Sequence, residues 1–182
     1  MSHKYSFHLT SQDWRRSLPP KIIIGRQETE TVEHVALKLI GYLLFYSDRL
    51  QIGPNLHDEN IPFVPDLVEL DYQLQPKLWV ECGECTVNKL NKLAVKAHEA
   101  KIWVMQRSPE AMEQLRRGME KEELRRNRYQ LIALDAAMFD EVVSLLKPRN
   151  ELLWVSGDFE PPGLQFDFNG LWFDAPFTVT KF

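Results

Sequence analysis

Cysteine is scarce in this chain: two in 182 residues, which excludes a disulfide framework. Long apolar runs are missing too. The best is "LIGYLLFY", Leu39 to Tyr46, far short of the ~18 residues a membrane span needs, so no membrane partner is expected. The opening "MSHKYSFHLTSQDW" lacks the apolar core of a secretory signal, and the expected location is the cytoplasm. Positive charge is in deficit, with 22 Lys and Arg against 26 Asp and Glu and a net charge of −4. A surface coated with phosphate-binding groups is thereby excluded, and any nucleic-acid contact needs a local basic patch. There is no internal repeat, low-complexity run or linker. What is there, 44% hydrophobic and 26% charged residues, is ordinary for a globular protein and enough for one domain, residues 1–182, with a sizeable core.

The patterning alternates. "KYSFHL" and "PPKIIIG" read as two strands of an N-terminal hairpin. In "TETVEHVALKLIGYLLFYS", Val32, Val35, Ala36, Leu39, Ile40, Leu43 and Leu44 recur at helical spacing. Thr29 or Thr31 can cap that helix, and Glu30 and Glu33 suit its positive end. "RLQIG" is a short strand, "PNLHDENIP" a polar loop, and "FVPDLVELDY" a strand that sets Val64, Asp66 and Val68 on one face. "PKLWVECG" is a strand with Trp79 and Glu81 on one face and Leu78, Val80 and Cys82 on the other. A helix from Thr86 to about His98 buries Leu90, Leu93, Ala94 and Ala97 and carries a separate row of Lys89, Lys92 and Lys96. "KIWVMQ" is an apolar strand, so the order is helix, three strands, helix, strand. Residues 109–128 read as one charged helix, "YQLIALD" as a buried strand, and "AAMFDEVVSLLK" as a short helix stopped by Pro148. The tail is strand and turn. Within it, Asn169-Gly170 suits a type I′ turn that pairs Phe168 with Leu171 and Phe166 with Phe173.

Two chemistries compete in "LWVECGECTVNKLNK", Leu78 to Lys92. Cys82 and Cys85 form a Cys-x-x-Cys pair. A structural zinc site needs four ligands, and His34, His57 and His98 lack ligand spacing. Glu84 between the thiols opposes the thiolate a redox centre requires.

The alternative is a pair of carboxylates. Nucleases of the PD-(D/E)XK class hold Mg²⁺ with two acids on neighbouring strands and use a lysine to position the attacking water. Pro65-Asp66 opens that pattern and Glu81 stands fifteen residues on. The motif lysine falls at position 83, which is glycine. Lys89 and Lys92 are the substitutes, and Glu33 can supply a third acid from the first helix. The bland alternative makes Asp66 and Glu81 strand-edge carboxylates and the lysines a solvated helix face. Two further features carry a choice. The cations at 116, 117, 121, 125, 126 and 128 face five glutamates, as in a solvated face with i,i+4 pairs or, alternatively, a phosphate-contact patch. The eight aromatics from Trp154 to Phe182 suit a hairpin core better than a base-stacking platform, with Trp172 the residue on the exposed side.

"ETETVEHVALKLIGYL", "DRLQIG" and "PDLVEL…LWVECGECTVNKLNKLA" together resemble the YaeQ family. Glu30, Thr31 and Glu33 match its helix opening, and Glu81, Gly83, Lys89 and Lys92 fall on its strand-to-helix core. Cys85 stands where the family commonly has proline, and His34 where it has arginine. The resemblance covers residues 28 to 106. It implies an α/β fold with a PD-(D/E)XK nuclease-like mixed sheet flanked by helices, here with N- and C-terminal β-hairpin extensions. The implied activity is metal-dependent cleavage of DNA or RNA, with Mg²⁺ or Mn²⁺ held by Asp66 and Glu81 and assisted by Glu33 and by Lys89 or Lys92. The alternative is a non-catalytic module for nucleic acid or protein that keeps the fold without the chemistry.

Overall fold

The computed structural model describes residues 3–53 and 63–182; the expected polar loop "PNLHDENIP" lies outside them. Eleven strands and four helices form two sheets among the described residues. β1 (His3–Ser11) and β2 (Lys21–Arg26) pair as the expected antiparallel hairpin. They do not stand alone as an extension. β1 runs parallel to β8 (Arg149–Phe159), which pairs with β9 (Pro162–Phe168), and β9 pairs with β10 (Leu171–Pro176). The N-terminal hairpin and strands β8 to β10 therefore merge into one five-stranded sheet of order β10-β9-β8-β1-β2.

The second sheet has six strands. β3 (Leu50–Ile52), β4 (Leu67–Leu70) and β5 (Pro76–Cys82) are antiparallel neighbours. β5, β6 (Lys101–Gln106) and β7 (Tyr129–Ala133) are parallel, and β11 (Thr178–Lys181) closes the far edge against β7. Each helix begins at a side-chain cap: Thr31 for α1 (Val32–Leu44), Thr86 for α2 (Val87–Lys96), Ser108 for α3 (Pro109–Lys121) and Asp135 for α4 (Ala136–Leu145).

Helix α1 packs against β2 and β8 of one sheet and β3 to β6 of the other. That position explains why every residue from Val35 to Leu44 is buried, where a surface helix would bury a single stripe. The approach is close: a Cβ on Gly41 would lie 2.8 Å from Leu67 Cδ1. α4 packs beside α1. Helices α2 and α3 cover the other face of the six-stranded sheet. β5 divides its side chains as expected, Val80 and Cys82 toward α1 and Trp79 toward α2.

The helix expected over residues 109–128 ends at Lys121. The chain turns at Glu123, with φ +51°, to bury Leu124. Burial of that leucine overrides the helix propensity of the charged run. Arg128 then donates to the carbonyls of Ala94, Ala97 and Ala100, at and beyond the end of α2. The Asn169-Gly170 turn has φ +50° and +87°, and its strands hold the expected register. Of the tail aromatics, Trp154, Phe166, Phe168, Phe173, Phe177 and Phe182 are buried, whereas Trp172 is exposed. No helix among the described residues is long and apolar enough to cross a membrane.

Candidate metal and acid site

Strand pairing brings Asp66 and Glu81 to the same end of the six-stranded sheet. Leu67 pairs with Val80, so Asp66 stands just before β4 and Glu81 at the finish of β5. Asp66 Oδ2 accepts the backbone N–H of Cys82 at 2.8 Å. From this anchor the two carboxylates meet different helices.

Asp66 belongs to a cluster on α1. Its Oδ1 lies 2.7 Å from His34 Nε2 and 3.8 Å from Lys38 Nζ. Glu30, just before the helix cap, reaches both partners: its Oε1 is 3.2 Å from His34 Nδ1 and 2.9 Å from Lys38 Nζ. Residues 30, 34 and 38 share one helix face at four-residue spacing. Burial alone would raise the Glu30 carboxyl; the Gln27 N–H and the Lys38 ammonium outweigh it and hold the group below its ordinary value. Lys38 is 6% exposed, and a lysine so buried requires such partners.

Glu81 is 2% exposed and faces α2. Lys89 Nζ lies 3.0 Å from it, and Trp79 Nε1 donates to its Oε1 at 2.7 Å. Lys89 also sits 5.6 Å from the centre of the Phe63 ring. Burial raises the Glu81 carboxyl, and the negative charge of Asp66 adds to the rise; Lys89 and the Trp79 donor oppose it without cancelling it. The same two charges act on the thiols. Burial, then Asp66 and Glu81, pushes Cys82 well above the ordinary thiol value. Burial and Glu81 push Cys85 up to about 12. Neither thiol is a nucleophile at neutral pH.

Of the residues expected from sequence, the structure brings together Asp66, Glu81 and Lys89. Lys92 is exposed on α2 with no polar partner among the described residues, and Glu33 lies outside the Asp66 cluster although it neighbours His34. The acid that joins the cluster is Glu30, just before α1. Gly83 has φ +84°, and a Cβ there would lie 3.1 Å from Leu37 Cδ1, so the motif position is built for glycine and not for a lysine. His34 and Lys38 were not singled out as site residues. The available signal was a lysine inside the run "VALKLIGYLLF", where an unpaired ammonium would be costly.

The donor chemistry around Asp66 fits a divalent cation. Glu30, His34 and Asp66 each offer one ligand atom, and all three atoms lie within 4.8 Å of one another. Two carboxylates and an imidazole suit Mn²⁺ better than Mg²⁺, which favours oxygen and water.

No curated protein sequence matches the chain. Among solved structures, the YaeQ protein from Xanthomonas axonopodis pv. citri superimposes with a TM-score of 0.76 at 19% identity, over 100% of this chain and 99% of that one. The YaeQ protein from Pseudomonas syringae gives 0.74 at 15% identity, over 100% and 97%. These likenesses establish the shared fold. The family model described as YaeQ protein matches residues 2–155, and the chain belongs to the YaeQ family.

Proposed function

We propose that this site is a nuclease-like centre of the PD-(D/E)XK kind that cleaves nucleic-acid phosphodiesters with Mn²⁺ or Mg²⁺. The observation that carries the reading is the meeting of Asp66 and Glu81 at one end of adjacent strands, with Glu30 and His34 completing a set of ligand atoms around Asp66. A cation held there would supply Lewis-acid stabilisation of phosphate charge and acidify a bound water. The chain's own groups divide the remaining work. Asp66, fixed by the Cys82 N–H, keeps its Oδ1 directed at the cluster. Glu81 has a raised carboxyl and can hold or accept a proton closer to neutral pH than an exposed glutamate. Lys89, 23% exposed, is placed to turn from Glu81 toward a phosphate oxygen. The test is cleavage of labelled single- and double-stranded DNA and RNA with each cation. Mn²⁺-dependent cleavage that Glu81→Gln abolishes supports the reading, and no cleavage of any substrate refutes it.

One observation favours a second reading. Each carboxylate already has its own ammonium, Lys38 beside Asp66 and Lys89 beside Glu81, and Gly83 occupies the motif lysine position. A charge-compensated site of that kind suits a binding module that keeps the fold without turnover. Nucleic-acid binding with no cleavage in any cation would select it.

A further inference from the structure

We propose that the solvent-facing side of the five-stranded sheet, where β1, β2 and β8 meet, is a docking surface for the phosphate backbone of a nucleic-acid strand. This rests on the phosphodiester reading above and identifies where the substrate would lie.

The argument begins with alternation. Phe7, Leu9, Ile24, Leu152 and Trp154 point into the core, so the intervening residues face outward. Register then assembles them. His8 lies beside Lys21 on one side and Glu151 on the other, and Ser6 lies beside Ile23 and Arg149. Lys4 is outward on β1, and Lys147 stands two residues before β8, where the Ser6 N–H bonds to the carbonyl of Pro148. Lys4, Lys21, Lys147 and Arg149 are all exposed, and none forms an ion pair among the described residues. Against these four cations stand Glu151 within the patch and, on the next strands of the same face, Asp167 and Asp174.

The chain as a whole carries a net charge of −4. Elsewhere some surface cations are paired, Arg15 with Asp13 and Asp158, Lys77 with Glu69, Arg116 with Glu113 and Glu120, and others, such as Lys92, Lys96 and Lys101, are exposed without an ion pair among the described residues. One end of the patch, at Lys147 and Arg149, is concave. His8, Lys147, Arg149, Asn150, Glu151 and Asn169 line a depression of about 390 Å³. Asn150 and Asn169 hold its floor through bonds to each other and to the carbonyls of Ser6, Lys147 and Leu145. A polyanion is the occupant such charge selects.

The chain itself connects the patch to the acidic site. The Lys4 end of the patch pairs with the Gly25 end of β2, from which the chain reaches Glu30 in five residues. From Lys4 to His8, where Lys21 stands alongside, the strand covers about 13 Å at ~3.3 Å per residue.

The test is fluorescence anisotropy with labelled single- and double-stranded oligonucleotides, in chelator, so that a failed metal site leaves the result untouched. The variant is Lys21→Glu, Lys147→Glu, Arg149→Glu, with Lys101→Glu, an exposed lysine at the start of β6, as a charge-reversal control away from the patch. The expected result is at least ~30-fold weaker binding by the triple variant, with the salt slope reduced by about two as three phosphate contacts are lost. Lys101→Glu should bind as wild type does. If the triple variant misfolds by circular dichroism, the glutamine triple replaces it. No wild-type binding at ~50 mM salt would overturn the proposal. So would equal loss in Lys101→Glu, or binding to phosphatidylglycerol vesicles with none to oligonucleotides.

Discussion

Replacing Lys38 by methionine keeps the length of the side chain and removes its charge from between two carboxylates. Lys38 Nζ is 2.9 Å from Glu30 and 3.8 Å from Asp66, and it is 6% exposed. Removing one partner of a buried ion pair costs about 3–5 kcal/mol. Glu30 and Asp66 keep 17% and 13% of their side-chain surface, so water recovers part of that, and the expected loss is about 2–3 kcal/mol. For a chain of this length that lowers the melting temperature by roughly 5–10 °C. The sign with pH follows from Glu30, whose carboxyl is held below the ordinary value of 4.5. A lowered carboxyl contributes stability above its unfolded value and loses it as pH falls through the folded one. The gap between wild type and Lys38→Met should therefore be full at pH 7 and close as pH falls below 4.5 and Glu30 protonates. Mn²⁺ should stabilise the variant more than the wild type, because the cation takes over the role of the ammonium. Urea melts across pH, with and without Mn²⁺, are the assay. A loss under ~0.5 kcal/mol at pH 7, or a loss independent of pH, would refute the ion-pair reasoning and leave packing as the cause.

Three other outcomes follow from the same geometry. Trp79→Phe removes the donor that holds Glu81 Oε1 at 2.7 Å; the Glu81 carboxyl should rise further and stability should fall by about 1–3 kcal/mol, read by carboxyl NMR titration and denaturant melts. With Cys82 and Cys85 both raised, the latter to about 12, neither thiol should react with a disulfide reagent at neutral pH until the protein is unfolded; fast labelling of the native protein would contradict the assignment. Gly157→Ala sets a Cβ against the Trp154 ring, 2.6 Å from Cη2, and the overpacking should cost about 1–3 kcal/mol, measured as a melting-temperature shift with quenched or shifted tryptophan emission.

The elements around the site were legible because their signals are local. Helical spacing identified α1 and α2, two-residue alternation identified β5, and the Asn-Gly pair fixed the β9–β10 turn. The hidden parts depend on residues far apart in the chain. Nothing near His3–Ser11 announces that it will run parallel to a strand some 140 positions later, so the two ends read as separate hairpins when they form one sheet. Placing α1 between two sheets is likewise a tertiary fact, and it turns Lys38 from an amphipathic residue into a buried cation. Glu30 and His34 are not recognisable in sequence as partners of the acidic pair, because Asp66 reaches them from a segment more than thirty residues on. Glu33 was the more natural choice on a first-turn argument, but its neighbour Glu30 holds the angle that faces Asp66. The charged run after Pro109 holds Gly118, which the helix runs through, and the burial of Leu124 ends the helix before Asn127.

The central claim is that Asp66, with Glu30 and His34, holds a divalent cation, and calorimetric titration of Mn²⁺ into wild type and into Asp66→Asn tests it most directly. The expected result is one site per chain in the wild type, with protons released as the cation displaces the bonded groups, and no measurable binding in Asp66→Asn. Wild type that takes up no Mn²⁺, or an Asp66→Asn protein that binds it with unchanged affinity, would contradict the account.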